Sequence, residues 1–125
     1  MIIGIGTDIA QVARFDAAVA RHGERFAERL LGEVERERLV EHAQPAAYLA
    51  KRFAAKEAFV KALGMGLRRG MRWTEIQVVN DALGRPSLVL GGKARELANA
   101  AGVKAIHLSL SDEAELALAM VVLEG

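Results

Sequence analysis

A single long helix dominates this chain. The segment PAAYLAKRFAAKEAFVKAL is rich in Ala and Leu, begins with Pro45 and is followed by Gly64. Proline suits the first turn of a helix and glycine its end, so the segment predicts a helix between these residues. At about 100° per residue its apolar side chains form one stripe, with Lys56 in the middle and Glu57 at the edge. The rest of the chain must supply the layer that covers this stripe.

The remaining segments predict strands and shorter helices. MIIGIGTDI, TEIQVVN and SLVL are β-branched or apolar and indicate strands, and AIHLSLSDEAELALAMVVLE indicates two strands around a tight polar turn. Helical patterns cover residues 13–31, with a break at His22 and Gly23, then a charged segment through Val40, and GGKARELANAAG. We predict an α+β fold with one antiparallel sheet packed against one long and several short helices.

Length and composition limit the class of protein. The 125 residues, 52% apolar and 26% charged, fit a single domain over residues 1–125 with a buried core. A domain of this size buries only about two thirds of its unfolded surface, so a site within one chain would be shallow and an oligomer is an alternative. The absence of cysteine excludes disulfides and thiolate chemistry and favours a cytoplasmic protein.

Charge and hydropathy argue against nucleic-acid and membrane partners. The net charge is +1, so the molecule as a whole has no strong field for either. No segment approaches the roughly 18 apolar residues of a membrane span. The apolar N-terminus lacks a basic region, and Asp8 interrupts it too early for a signal peptide. Any acidic partner must therefore be met by local clusters of basic residues.

The long helix carries the first candidate site. Lys56, half-sunk in the apolar stripe, could extend its ammonium past the edge of the core, and Glu57 and Lys61 could form an ordinary exposed pair one turn apart. A lysine beside a carboxylate on small residues also suits an anion and a metal ion. The sequence leaves both interpretations open.

Asp8 is the second candidate. Alternation along the first strand places Ile2, Gly4, Gly6 and Asp8 on one face. Two glycines before a carboxylate let a ligand or another backbone come close, although Asp8 could simply cap the next helix. Mg²⁺ takes only one or two protein carboxylates and completes its shell with water and phosphate oxygens. One carboxylate from a strand and one from a helix would suffice.

Three further segments offer weaker signals. GIGTDI lacks the third glycine of a dinucleotide-binding fingerprint, and we reject that interpretation. The loop GMGLRRGMR lacks the signature of a phosphate-binding P-loop; its arginines could reach phosphates, or the loop could be a solvated turn. In AIHLSLSD, His107 lies among serines on one face of a strand, which is either a solvent face or a shelf for a phosphate.

Arginines recur along the first helical region. Arg14, Arg21, Arg25 and Arg29 are seven, four and four residues apart. Acidic residues lie between them, so a mixed solvated face is one interpretation. A basic stripe for an acidic helical partner is the other.

Three blocks resemble a known family. GIGTDI, RFAAKEAFVKALG and HLSLSDE occur in the order and at the spacing of the holo-acyl-carrier-protein synthases, the short bacterial class of 4′-phosphopantetheinyl transferases. The resemblance covers essentially the whole chain. It implies an Mg²⁺-dependent transfer of 4′-phosphopantetheine from coenzyme A to a serine of apo-acyl carrier protein, with release of adenosine 3′,5′-bisphosphate, in support of fatty acid biosynthesis. It also implies a homotrimer with active sites between subunits.

The resemblance also implies roles for individual residues. Asp8 and Glu57 match the Mg²⁺ ligands, and Lys61 matches a position that holds a phosphate of coenzyme A, where it could stabilise the leaving oxygens. Three further residues match coenzyme A-binding positions: Arg52, Lys56 and His107. Gly64 begins the glycine-rich segment that corresponds to part of the nucleotide pocket. Arg14, Arg21 and Arg25 match the surface that docks the acidic helix of the carrier protein. The general base stays open, between Glu57 and a metal-bound water.

Two other functions compete with this one. A non-catalytic module could use the basic helix to hold an acidic protein, but such a surface needs neither Asp8 nor Glu57. A nucleotide-binding enzyme of different chemistry is disfavoured by the incomplete glycine fingerprint.

Overall fold

The computed structural model describes all residues, 1–125, and has the α+β architecture expected. The elements in chain order are β1 Ile2–Gln11, α1 Val12–His22, α2 Glu24–Leu30, α3 Glu33–Glu41, α4 Pro45–Ala62, a 3₁₀ turn Trp73–Glu75, β2 Ile76–Asn80, β3 Pro86–Leu90, α5 Gly92–Ala100, β4 Ala105–Glu113 and β5 Leu116–Glu124. No helix is both long enough and apolar enough to cross a bilayer.

The strands form two antiparallel sheets, so the prediction of one sheet is wrong. One sheet has the order β1-β5-β4, and the other is the hairpin of β2 and β3. In the chain, α5 lies between β3 and β4, and β4 pairs with β5 and not with β3. Alternation along a strand predicts which side chains share a face, but it does not predict which strand edges pair.

The long helix α4 lies directly on β1, at two glycines. A Cβ at Gly4 would lie 1.9 Å from the carbonyl oxygen of Ala62, and one at Gly6 would lie 2.0 Å from that of Ala58. The two glycines therefore admit another backbone and not a ligand, which settles the alternative left open by the sequence. This contact fixes how closely Asp8, two residues after Gly6, approaches α4.

The opposite face of the three-stranded sheet is apolar and uncovered. Its large side chains are between 39% and 60% exposed: Ile3, Ile5, Ile9, Leu116, Leu118 and Met120. We call these six residues the outer apolar face. They alternate with the buried residues that face α4, as the register of β1 and β5 requires. An apolar patch of this kind marks a contact surface more often than free solvent-exposed protein.

Candidate functional site

Asp8, Glu57 and Lys61 form one cluster where β1 meets α4. The Lys61 ammonium lies 3.0 Å from Asp8 Oδ1 and donates to the Thr7 carbonyl oxygen at 3.1 Å. Lys61 thus pairs with Asp8 and not with Glu57, so the simple pair along the helix is excluded. Asp8 lies within β1, and Gln11 holds the cap position of α1, which excludes the capping alternative.

The electrostatics of this cluster favour a bound cation. Partial burial raises the pKa of Glu57, and the nearby charge of Asp8 raises the pKa further, while Lys61 opposes both. Two carboxylates that disfavour each other's ionisation are stabilised by a positive charge placed between them. The Asp8 side chain is 15% exposed and that of Lys61 is 51% exposed, so the cluster can be reached from solvent.

The donor set fits Mg²⁺ better than a metal held by protein alone. The chain contains no group of three or more acidic, histidine or cysteine side chains that could hold an ion. Asp8 and Glu57 could provide two hard oxygen ligands, which is the number Mg²⁺ typically takes from a protein when substrate phosphates and water supply the rest.

Lys56, which the resemblance implies for a coenzyme A phosphate, is fully buried in this chain and has no free donor for one. Its side chain is 0% exposed and its ammonium lies 2.7 Å from Oε1 of Glu35, which is also 0% exposed. The same ammonium donates to the carbonyl oxygens of Leu30 and Trp73. Burial lowers the pKa of Lys56 to about 8, with the Glu35 charge opposing the shift. The alternative of an ammonium extended into water is wrong for the same reason.

Arg52 lines a separate polar cavity on another side of α4. It is only 4% exposed, donates to Asn80 Oδ1 at 2.9 Å and stacks 4.1 Å above the Tyr48 ring. Its Nε is the one buried side-chain nitrogen or oxygen without a hydrogen-bond partner. The cavity, of about 350 Å³, also brings Arg38 and Lys51 together. Such a cluster of cations with one unsatisfied donor suits an anion.

His107 and Gly64 lie outside the carboxylate cluster. His107 is exposed, on the same side of the sheet as the outer apolar face, and its Nε2 lies 2.9 Å from Glu124 Oε1. The hydrogen bond from His107 lowers the pKa of Glu124. Gly64 is exposed just after α4, with φ +79°, and its N–H donates to the Lys61 carbonyl oxygen. Within one chain, His107, Gly64 and Arg52 are not part of the cluster that contains Asp8.

The predicted arginine stripe spans two helices. Gly23, with φ +57°, ends α1 after Arg21 and starts α2 before Arg25. The four arginines at 14, 21, 25 and 29 are exposed, and none forms an ion pair with the acidic residues between them. We call these four residues the arginine surface.

A cavity of about 390 Å³ lies beside this surface. Its walls are α2, through Glu28 and Arg29, and the end of the glycine-rich loop with the 3₁₀ turn, through Leu67, Met71, Arg72, Trp73 and Thr74. We call it the loop cavity. The basic loop therefore packs beside α2 and not beside Arg52.

The sequence reasoning missed three residues that organise these sites. Glu35 neutralises Lys56, and Asn80 and Tyr48 hold Arg52. Glu35 had a detectable signal, because it stands three residues after Gly32, where a glutamate accepts the backbone N–H that precedes its helix. Asn80 and Tyr48 have no such signal, since their role depends on contacts across the fold.

Comparisons with known proteins identify the family. Residues 4–121 match the model of the 4′-phosphopantetheinyl transferase superfamily. The holo-(acyl-carrier-protein) synthase of Serratia proteamaculans is 48% identical over 99% of this chain and 98% of its own. The crystal structure of the Neisseria meningitidis synthase superposes with a TM-score of 0.94 at 41% identity and covers 100% of both chains. The Helicobacter pylori synthase, in complex with coenzyme A, covers 96% of this chain and 99% of its own, with a TM-score of 0.83 at 29% identity. This chain belongs to the 4′-phosphopantetheinyl transferase superfamily, in its holo-(acyl-carrier-protein) synthase family.

Proposed function

We propose that Asp8, Glu57 and Lys61 are the catalytic residues of a phosphopantetheinyl transfer. The enzyme transfers the 4′-phosphopantetheine group from coenzyme A to a serine of apo-acyl carrier protein, releases adenosine 3′,5′-bisphosphate and supports fatty acid biosynthesis. The observation that carries the assignment is the accessible pair of carboxylates with a lysine 3.0 Å from one of them. Since the chain has no cysteine, we place the reaction in the cytoplasm.

Asp8 and Glu57 would hold Mg²⁺, which when bound neutralises charge on the pyrophosphate of coenzyme A. In this arrangement Lys61 lies beside the reacting phosphate and stabilises the leaving oxygens. The serine oxygen bonds to the β-phosphorus as the bond from that phosphorus to the oxygen of adenosine bisphosphate breaks. The serine proton passes to a general base, for which Glu57 and water are the candidates. Phosphoryl transfer depends chiefly on positioning and electrostatics, which are what this cluster of charges provides.

The cations around Arg52 are the candidate contacts for the remaining phosphates of coenzyme A. Arg52 offers an unpartnered N–H, and Arg38 and Lys51 add charge to the same cavity. Arg52 and Glu57 are five residues apart, which places them about 140° apart around the helix axis. We therefore assign the two groups that contact one coenzyme A molecule to different subunits. His107 would join the phosphate contacts from such a neighbouring subunit.

The direct test is transfer itself. Apo-acyl carrier protein incubated with this protein, coenzyme A and Mg²⁺ should gain the mass of one phosphopantetheine group, and the gain should be lost with a chelator. Replacing the acceptor serine of the carrier by alanine is the control. No mass gain under these conditions, with a carrier that another synthase modifies, would contradict the proposed function.

The same geometry supports an oligomer, and the family resemblance implies that it is a trimer. We expect a homotrimer whose subunits cover the outer apolar face and complete each site with the Arg52 cavity of a neighbour. Ile5 lies in the middle of that face, so Ile5→Lys should dissociate the trimer and lower transfer, because a buried lysine without a partner is costly. Light scattering checks the mass. Val34→Lys, at an apolar residue on α3 of similar exposure, should change neither the mass of the oligomer nor the rate of transfer. A wild-type monomer that is active at assay concentration would contradict the trimer.

Mutations of the arginine surface and of Lys61 should affect different steps, carrier binding and turnover respectively. Arg14→Glu or Arg21→Glu should weaken the affinity for the carrier protein and reduce its salt dependence, because exposed charges are screened over about 10 Å at 0.1 M salt. Coenzyme A binding should stay nearly unchanged. Lys61→Met should keep carrier affinity and lose turnover, since an interaction made mainly in the transition state appears in kcat.

Both quantities are measured separately, with carrier binding followed across a salt series. If the arginine reversals leave carrier binding unchanged at every salt concentration, the arginine surface is only a solvated face. If Lys61→Met weakens carrier binding as much as the reversals do, the separation of the two roles is wrong.

A further inference from the structure

The buried ion pair of Lys56 and Glu35 has no part in the proposed chemistry, although Lys56 directly precedes the catalytic Glu57 in the sequence. All three donors of the Lys56 ammonium are used, on Glu35, on the Leu30 carbonyl and on the Trp73 carbonyl. Glu35 in turn accepts the backbone N–H groups of Gly32 and Val78, each at 3.0 Å. The pair is therefore fully satisfied without any substrate.

Stability alone is a weak reason for such a pair. Removing two charges from water costs several kcal/mol, and well-packed apolar residues in the same place are often as stable or more so. What a charged, hydrogen-bonded pair adds is fixed geometry, because each donor must meet one particular acceptor. The acceptors of Lys56 therefore indicate which parts of the fold it holds in register.

Two of those acceptors belong to the elements that form the walls of the loop cavity. Leu30 ends α2, the helix that carries Arg25 and Arg29, and Trp73 follows Arg72 at the end of the basic loop. Lys56 itself precedes Glu57 on α4. A single ammonium thus joins the arginine-bearing helix, the loop and the helix of the catalytic carboxylate at one point.

We infer that Lys56, through Glu35, is a positioning residue that sets the carrier-docking side of the site relative to Glu57 and Lys61. It acts on where the carrier serine arrives and does not touch coenzyme A. This inference rests on the proposed function. It predicts that loss of the pair affects reaction with the carrier protein more than coenzyme A binding, because Arg52 keeps its own contacts with Asn80 and Tyr48.

The test variant is Lys56→Met combined with Glu35→Gln, which removes both charges together and leaves no unpaired buried ion. Lys93→Met with Glu96→Gln, which removes an exposed pair on α5, is the matched control. We expect kcat/KM for the carrier protein to fall by about tenfold to a hundredfold, as a displacement of about 1 Å can produce. The dissociation constant for coenzyme A should change much less than kcat/KM does, because Arg52 keeps its contacts with Asn80 and Tyr48. The control should match the wild type.

A second readout does not need activity. Trp73 is the only tryptophan, and Lys56 bonds its carbonyl oxygen, so intrinsic fluorescence reports this anchor alone. In the double variant the emission should shift to the red and acrylamide quenching should rise, below the melting temperature. If wild-type protein transfers nothing, the proposed function fails, yet the fluorescence still decides whether Lys56 holds the loop.

Three results would overturn the inference. Unchanged kcat/KM for the carrier in a folded double variant would show that the pair is only structural. Weakened coenzyme A binding with normal carrier kinetics would show that Lys56 serves the nucleotide. Unchanged Trp73 fluorescence would show that the loop is held by other contacts. If the double variant does not fold, Glu35→Gln alone replaces it, because this variant keeps the two bonds of Lys56 to backbone carbonyls. We then expect a smaller fall in kcat/KM for the carrier, again larger than the change in coenzyme A binding.

Discussion

Glu57→Gln and Asp8→Asn should each lower the rate of transfer by about 10³-fold or more, which is at or above the cost of removing one charge-stabilising group from an active site. Both changes keep the size of the side chain and remove a carboxylate charge that would hold the metal. The rate of mass gain on apo-acyl carrier protein, measured across an Mg²⁺ series, checks this. Either variant with near wild-type turnover at low Mg²⁺ would contradict the assignment of the metal ligands.

The same variants should remain folded, which separates chemistry from stability. The Asp8–Lys61 pair is partly exposed, and such pairs contribute about 0.2–1 kcal/mol. Burial and the Asp8 charge already disfavour ionised Glu57 by raising its pKa, so a neutral amide there should not lower the free energy of unfolding. Glu96→Gln, which removes an exposed carboxylate on α5, is the matched control and should keep full activity.

Gly6→Ala should damage both stability and transfer. The added Cβ would lie 2.0 Å from the Ala58 carbonyl oxygen, and a helix backbone cannot rotate away as a side chain can. The helix α4 must then move by at least about 1 Å, at a cost of about 1–3 kcal/mol or more in the free energy of unfolding. Because that movement separates Glu57 from Asp8, kcat/KM should fall by about 10²-fold even in the folded fraction.

Thermal unfolding and the transfer assay measure the two effects. Gly91→Ala is the control, because nothing lies within 4 Å of the added Cβ and φ is −135°, which any residue adopts. It should leave the melting temperature and the rate unchanged. A Gly6→Ala protein that unfolds and reacts like the wild type would show that the position of α4 on β1 is not what brings the cluster together.

Much of the fold could be read from local patterns in the sequence. Pro45 begins α4 as predicted, the helix ends two residues before Gly64, and the break at Gly23 falls where the sequence placed it. The alternation in β1 correctly placed Gly4, Gly6 and Asp8 on one face. These features depend on backbone conformation and on short-range periodicity, which individual residues determine by themselves.

The sequence by itself also determined the family and the residues that belong together at the cluster, since Asp8, Glu57 and Lys61 could be named before any contact was known. It could not determine the environment of Lys56, which has the same place on the apolar stripe whether it reaches water or a buried carboxylate. Only the tertiary structure brought Glu35 to it from another helix, left Arg52 on the side of α4 away from the cluster and paired β1 with β5. A periodic pattern fixes the direction of a side chain relative to its own element, whereas burial, ion pairing and strand order depend on which distant elements pack against it.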